Sequence, residues 1–367
     1  MAAAPETEVR DELGAVARAL LAKGQASEGM ARRRLAEAGW LGLEVPEELG
    51  GAGVTFAETA VVLEELGRAA ARTGYFGTAV LAAGTLTALQ PTAERDALLR
   101  RTANGTQALT AALVDATDDS LVAGTFDDRD VPFRIEDCPA GPRLSGHAGF
   151  VPDAAEADRL LILALDPAGT PVVVVLAPGA EGLTVAGQPV LDATRRFARV
   201  RAEAVAPDAG RVLRFDGEPR RAVGRLLDRA AVATACDSLG LAEAMLRSTV
   251  AHTRGREQFG RPVGSFQAVK HACADMLVRL SVSRHLVSEA VRLIAEDHVE
   301  AGVAASMAKS YVCAAAVDVV GKAMQLHGGM GYTWESGIHV HLKRATLNRS
   351  LFGSPAAHRR RLARRYR

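Results

Sequence analysis

Apolar positions recur at helical spacing through the first hundred residues. Val9, Leu13, Val16, Leu20 and Leu21 follow one helical run, and Val61, Val62 and Leu66 belong to a second. Between them, residues 39–53 (Gly-Trp-Leu-Gly-Leu-Glu-Val-Pro-Glu-Glu-Leu-Gly-Gly-Ala-Gly) form a connector broken by glycine and proline. The pattern changes near residue 106. Ala108–Val114, Leu160–Leu165, Val172–Leu176 and Arg199–Val205 read as strands separated by Asp, Gly and Pro, and Asp192-Ala-Thr-Arg195 reads as a turn before the last of them. Helical periodicity returns after residue 216. Val269, Cys273, Met276 and Leu280 share one face of a long helix, and the Ala-rich stretch 299–326 predicts another. Long Ala/Leu helices with short connections predict a bundle. The expectation is an α+β chain in three domains: helical over 1–105, β over 106–215 and a helical bundle over 216–367.

Composition narrows the class. Hydrophobic residues at 48% and charged residues at 24% are those of an ordinary soluble globular protein. The formal net charge of +1 gives no reason to expect a nucleic-acid or membrane partner. The longest apolar runs, Leu160–Leu165 and Val172–Ala177, are of strand length, and the N-terminus carries early acids in place of a signal-like apolar block, so the expected location is the cytoplasm. Cys138, Cys236, Cys273 and Cys313 are scattered and read as small core residues in a reducing compartment. His339 and His341 lack acid or cysteine partners at ligand spacing, so no metal site is expected. The basic ending, His358 to Arg367, reads as a solvated helix end whose charges suit the helix dipole.

Two stretches carry candidate chemistry. One is Arg254-Gly-Arg-Glu-Gln-Phe-Gly-Arg-Pro-Val-Gly-Ser-Phe-Gln267; the other is Met324-Gln-Leu-His-Gly-Gly-Met-Gly-Tyr332. Each sits where a helical pattern meets a glycine-bearing loop. Arginine supplies forked, charge-assisted hydrogen bonds, and glycine lets a ligand approach the backbone, which suits a phosphate or an adenine. Gly51-Ala-Gly53 is not a dinucleotide loop, because no strand precedes it and the third glycine is missing.

Taken together, the two stretches resemble the flavin-binding signature of the acyl-CoA dehydrogenases, and the Pro46-Glu-Glu-Leu-Gly-Gly-Ala-Gly53 connector resembles that family's N-terminal helical domain. The resemblance covers nearly the whole chain. It implies FAD as cofactor, an acyl-CoA thioester as substrate, and α,β-dehydrogenation, in which a desolvated carboxylate of raised pKa takes the α-proton while the β-hydrogen leaves as hydride. In the family each flavin lies at a subunit interface. By motif, Arg256, Gln258 and Phe259 meet the pyrophosphate and adenine of a partner's flavin, and Gln325 with the backbone at Gly328 and Gly329 closes over it. His327, inside the same motif, lies near the flavin edge.

The departures are as informative. Many members carry the base as the Glu of a Tyr-Glu-Gly-Thr stretch, where this chain has Leu351-Phe-Gly-Ser354, so that Phe352 replaces the acid. Residues 336–367 contain no Asp or Glu at all. Other members place the base on an earlier helix, at the position of Ala230. Asp228 is roughly 200° around that helix from it, whereas Asp237 shares its face about 10 Å further along, which makes Asp237 the one carboxylate to test. The family's own-chain flavin loops are also altered. The first reads Thr110 to Ser120, and the second reads Phe150-Val-Pro152, where proline replaces a threonine hydroxyl. The Leu-Phe-Gly-Ser-Pro-Ala ending resembles a bacterial subgroup that acts on bulky acyl groups, including steroid side chains, as α₂β₂ assemblies. The expectation is a base-less subunit that completes the flavin site of a homologous chain. Its alternatives are a homomer using Asp237, a scaffold without flavin, and another flavin reaction on the same fold, such as oxygenation.

Overall fold

The computed structural model describes residues 5–23, 31–119 and 128–365. Helices α1 (Pro5–Lys23), α2 (Arg32–Glu37) and α3 (Phe56–Arg68) come first. A π-helical turn (Phe76–Ala83) follows and runs into α4 (Gly84–Thr87), and α5 (Ala93–Ala103) closes the N-terminal helical part. α3 starts at a capping box: the Thr55 hydroxyl accepts from the Ala57 N–H at 3.2 Å while the Glu58 carboxylate accepts from the Thr55 N–H at 3.0 Å. The 39–53 connector is two short 3₁₀ turns, as its glycines and proline require.

The middle of the chain is one eight-stranded mixed sheet. Its strands are β1 (Leu109–Ala112), β2 (Phe133–Glu136), β3 (Arg143–Pro152), β4 (Arg159–Leu165), β5 (Pro171–Leu176), β6 (Leu183–Gln188), β7 (Phe197–Val205) and β8 (Val212–Arg214). They are ordered β6-β7-β3-β2-β4-β5-β8, with β1 parallel to β4. β4 and β5 are buried on both faces, which is why they read as unbroken apolar runs. Leu161, Leu163, Val173 and Val175 pack into the helical core, and their alternating neighbours Leu160, Ile162, Val172 and Val174 fill a second core within the sheet.

The C-terminal bundle is built from α6 (Pro219–Gly255), α7 (Gln267–Ala295), α8 (Ala301–Leu326), α9 (Ile338–Ser350) and α10 (Pro355–Arg364), with the two-residue strands β9 (Glu257–Gln258) and β10 (Arg261–Pro262) as a hairpin between α6 and α7. α3 crosses α6 at backbone distance. A Cβ on Gly67 would collide with the Asp237 carbonyl, and one on Gly240 with the Glu64 carbonyl, so this crossing needs glycine on both helices.

Three expectations change. Leu160–Leu165 and Val172–Ala177 are not the longest apolar stretches: α8 is long and apolar enough to cross a bilayer by length and composition, but 67% of its most apolar window is buried in the bundle, as in a core helix. Cys236 and Cys313 are buried, whereas Cys138 is exposed and Cys273 only partly covered. The basic ending is more than a solvated helix end. His358 is buried, Arg361 Nη2 lies 3.0 Å from Asp228 Oδ2, and Arg365 Nη2 lies 3.0 Å from Glu300 Oε1. Its last two residues, like Ser120 in the first flavin loop, lie outside the described residues.

Candidate functional site

The two sequence stretches begin at neighbouring helix ends, those of α6 and α8. α6 stops at Gly255 with Arg256 as its extended C-cap, and the hairpin turns through Phe259 and Gly260, both at positive φ (55° and 73°). Phe259 is left 90% exposed. The hairpin is stiffened from behind: Arg261 lies over the Phe266 ring at 4.0 Å, and Phe259 meets Phe266 edge-on at 6.2 Å. The Val263 N–H donates to the Arg256 carbonyl at 2.8 Å. Arg256 and Gln258 are exposed, and Gln258 Nε2 donates to its neighbour's carbonyl, Glu257 O, at 2.9 Å.

The end of α8 is joined to the end of α6 by two imidazoles. His327 stacks on His252 with ring centroids 4.5 Å apart. Its Nδ1 lies 2.8 Å from the Ala323 carbonyl, so that nitrogen carries the proton, and Nε2 is left to face the Ser248 hydroxyl at 3.4 Å. Burial, then His327 and Arg256, hold His252 below its ordinary range. Gln325 accepts from Lys322 Nζ at 2.8 Å. Gly328 has φ +63°, and a Cβ at Gly331 would collide with the Met324 carbonyl, so the glycines shape the turn as well as stopping the helix.

The two base positions are different in kind. Phe352 is buried, sits at φ +52°, and stacks on Phe76 at 5.7 Å; Arg195 lies 5.0 Å over the same Phe76 ring. Its backbone is held on both sides: the Phe352 N–H donates to Ala116 O at 2.6 Å, and His358 Nε2 donates to Phe352 O at 2.9 Å. Burial pushes His358 down to about 3, so it is neutral at physiological pH. Just upstream, the buried Lys309 Nζ donates to Asn348 O at 2.5 Å, satisfying an end carbonyl of α9. Ala230 is fully buried, and its neighbour Arg229 forks onto Glu44 at 2.6 Å through two nitrogens.

Asp237, singled out above as a possible base, is held by its surroundings. It is fully buried; Arg344 grips both of its oxygens at 3.0 and 2.5 Å, Asn348 Nδ2 donates at 2.6 Å, and Arg195 Nη2 lies at 3.0 Å. Burial alone would raise this carboxyl, but the two guanidiniums and their hydrogen bonds outweigh it and hold it below the usual range. A carboxylate so stabilised is a poor proton acceptor. Helical spacing from Ala230 could not reveal this, because the partners lie on α9 and at the 192–195 turn. Sequence reasoning also missed Asp153, beside Pro152, which adopts φ +57° and accepts from the Gly77 N–H at 3.0 Å. Burial raises it to about 6 against the opposing pull of Arg195, the Gly77 N–H and Arg344. Pro152 offers no hydroxyl, and the Thr110 hydroxyl is spent inward on Pro152 O at 2.7 Å.

The fold and this site define an acyl-CoA dehydrogenase scaffold. The family model "Acyl-CoA dehydrogenase, N-terminal domain" matches residues 2–106, and "Acyl-CoA dehydrogenase, C-terminal domain" matches residues 220–367. The chain is 30% identical over 354 residues to the acyl-CoA dehydrogenase IpdE2 of Mycobacterium tuberculosis, covering 95% of this chain and 90% of that protein. The chain belongs to the acyl-CoA dehydrogenase family. Among solved structures it is similar to a chain of a Tcur3481-Tcur3483 steroid ACAD variant, at 31% identity and a TM-score of 0.83 over 98% of this chain and 97% of that one. It also shares its fold, at 24% identity and a TM-score of 0.85 over 98% of this chain and 97% of that one, with a chain of the ChsE4-ChsE5 complex from Mycobacterium tuberculosis.

Proposed function

We propose that this chain is the base-less subunit of a heteromeric acyl-CoA dehydrogenase, and that its C-terminal edge completes the FAD site of a homologous, base-bearing chain. The observation that carries this reading is the contrast between Phe259, 90% exposed on a hairpin built to project, and Phe352, buried where the family's carboxylate stands. Arg256 faces the flavin pyrophosphate with a forked cation, Gln258 and Phe259 cover the adenine, and Gln325, His327 and the backbone at Gly328 and Gly329 close over them. The chemistry FAD supplies when bound is hydride acceptance. The α-proton is taken by the partner, because Asp237 is ion-paired and neither Phe352 nor Ala230 can accept it. The steroid ACAD relative, whose name pairs two proteins, supports both a paired assembly and a bulky acyl-CoA substrate.

The test is a visible spectrum of the purified chain, alone and co-expressed with an adjacent dehydrogenase-like gene. The expected result is a colourless chain that becomes yellow with its partner and loses the colour on Arg256→Ala. A full flavin spectrum from the chain alone, bleached by an acyl-CoA, would overturn the proposal. The rival homomer would then rest on Asp153, the carboxyl near the altered flavin loop that burial has raised.

A further inference from the structure

Between residues 247 and 285 the chain carries seven Arg or Lys and only two Asp or Glu, although its overall charge is +1. This segment is the end of α6, the hairpin and the first two-thirds of α7. Arg279 is answered by Asp318 at 3.1 Å, and Arg284 is answered by Glu243. Arg247, Arg254 and Lys270 are exposed and have no ion-pair partner among the described residues. Arg261 is exposed too; its guanidinium lies over the Phe266 ring and has no ion-pair partner among the described residues. On α7, Lys270 is followed at four-residue spacing by an exposed apolar stripe, Ala274, Val278 and Val282, while Met276, Leu280, Ser283 and Val287 face inward.

In a two-fold dimer the same patch meets itself, so a patch of one sign repels its copy. We infer that this face docks a homologous dehydrogenase chain whose facing helix is acid-rich, and that its surplus of positive charge rejects a second copy of this chain. The inference rests on the partner-completing reading above and adds what selects the partner. The apolar stripe supplies adhesion to any chain of this fold; the charge supplies discrimination, by making the wrong pairing unfavourable. Setting Arg256 aside for the flavin does not remove the surplus, since four cations still stand against Glu257 and Asp275.

Sedimentation velocity on the full-length, flavin-free chain tests this. Repulsion between exposed charges is screened at high ionic strength, so self-association should be at least about ten-fold tighter at about 1 M than at about 0.05 M NaCl. The triple variant Arg247→Glu, Arg254→Glu, Lys270→Glu, mixed with the wild-type chain at low salt, should form a mixed dimer tighter than the wild-type self-pair, and this mixed dimer should loosen as salt rises. Val278→Ser, which leaves the charge unchanged, should weaken every one of these associations. A tight wild-type dimer at low salt overturns the inference, as does a mixed dimer no tighter than the wild-type pair, or the absence of any association in the mixture. The readout is separate from flavin colour. A homodimer at low salt would remove the charge selection while leaving flavin completion open, and a flavin-free complex with correct charge selection would do the reverse.

Discussion

The end of the bundle and its interior were set up by similar means and serve opposite ends. At the end of the bundle, glycines and stacked rings hold polar groups out into solvent: Arg256, Gln258 and Phe259 project from a braced hairpin, and His327 is oriented by Ala323, Ser248 and His252. In the interior, equally firm contacts hold polar groups shut. Arg344, Arg195 and Asn348 leave Asp237 no free oxygen, and Phe76, Ala116 and His358 fix Phe352. Precision of placement therefore does not mark a catalytic centre. What separates the two regions is exposure: Arg256, Gln258 and Phe259 face solvent, whereas Asp237 and Phe352 are buried.

That comparison can be broken most forcefully at Asp237. Asp237→Ala leaves two buried guanidiniums without their carboxylate and should cost about 3–5 kcal/mol in chemical denaturation. A loss below about 1 kcal/mol would mean that the interior is not charge-locked. Because this carboxyl is held below its ordinary range, its contribution is present at neutral pH and lost as pH falls through the acid range. Next is Phe352→Ala, which removes a buried ring and should cost about 3 kcal/mol in the same assay while leaving flavin content of the assembled complex unchanged. Loss of flavin would place Phe352 in the site.

Asp153→Asn should have a smaller effect with the opposite pH trend. A carboxyl raised to about 6 in the folded state favours folding more as pH falls through that value, so its ionised form is a burden above it. The variant should gain about 1 kcal/mol on the wild type at pH 8 relative to pH 5; equal stability differences at the two pH values would show that Asp153 is solvated. Arg256→Ala should move stability by less than about 0.5 kcal/mol, as expected of an exposed side chain, and yet empty the complex of flavin.

The sequence was most legible where one physical rule acts alone. β4 and β5 are apolar because both faces are buried, and α7 repeats at helical spacing because one face packs. β2, β3, β6 and β8 were not foreseen. β6 alternates half-buried and exposed positions without a strong apolar residue at most of them, and β3 is interrupted by Gly146 and Gly149 with register shifts against β7. The outer stretch could be singled out in the sequence because Arg256, Gln258 and Gln325 stand close to glycines that break the helices. The inner half could not: the Asp237–Arg344 pair spans 107 residues, and no local pattern links its members.

The left-handed backbone and stacked ring at Phe352 also bear on how the chain could change over generations. Restoring an acid there by one substitution would set a carboxylate against the Phe76 ring in a dry pocket, under a carbonyl and an N–H that are already engaged. Arg195, which lies over the same Phe76 ring, is committed to Asp237. A working base would need the ring, the guanidinium and the acid to be rearranged together, and each intermediate would fold less well than the chain it came from. The packing around Phe352 thus resists an acid at that position in the chain as it stands.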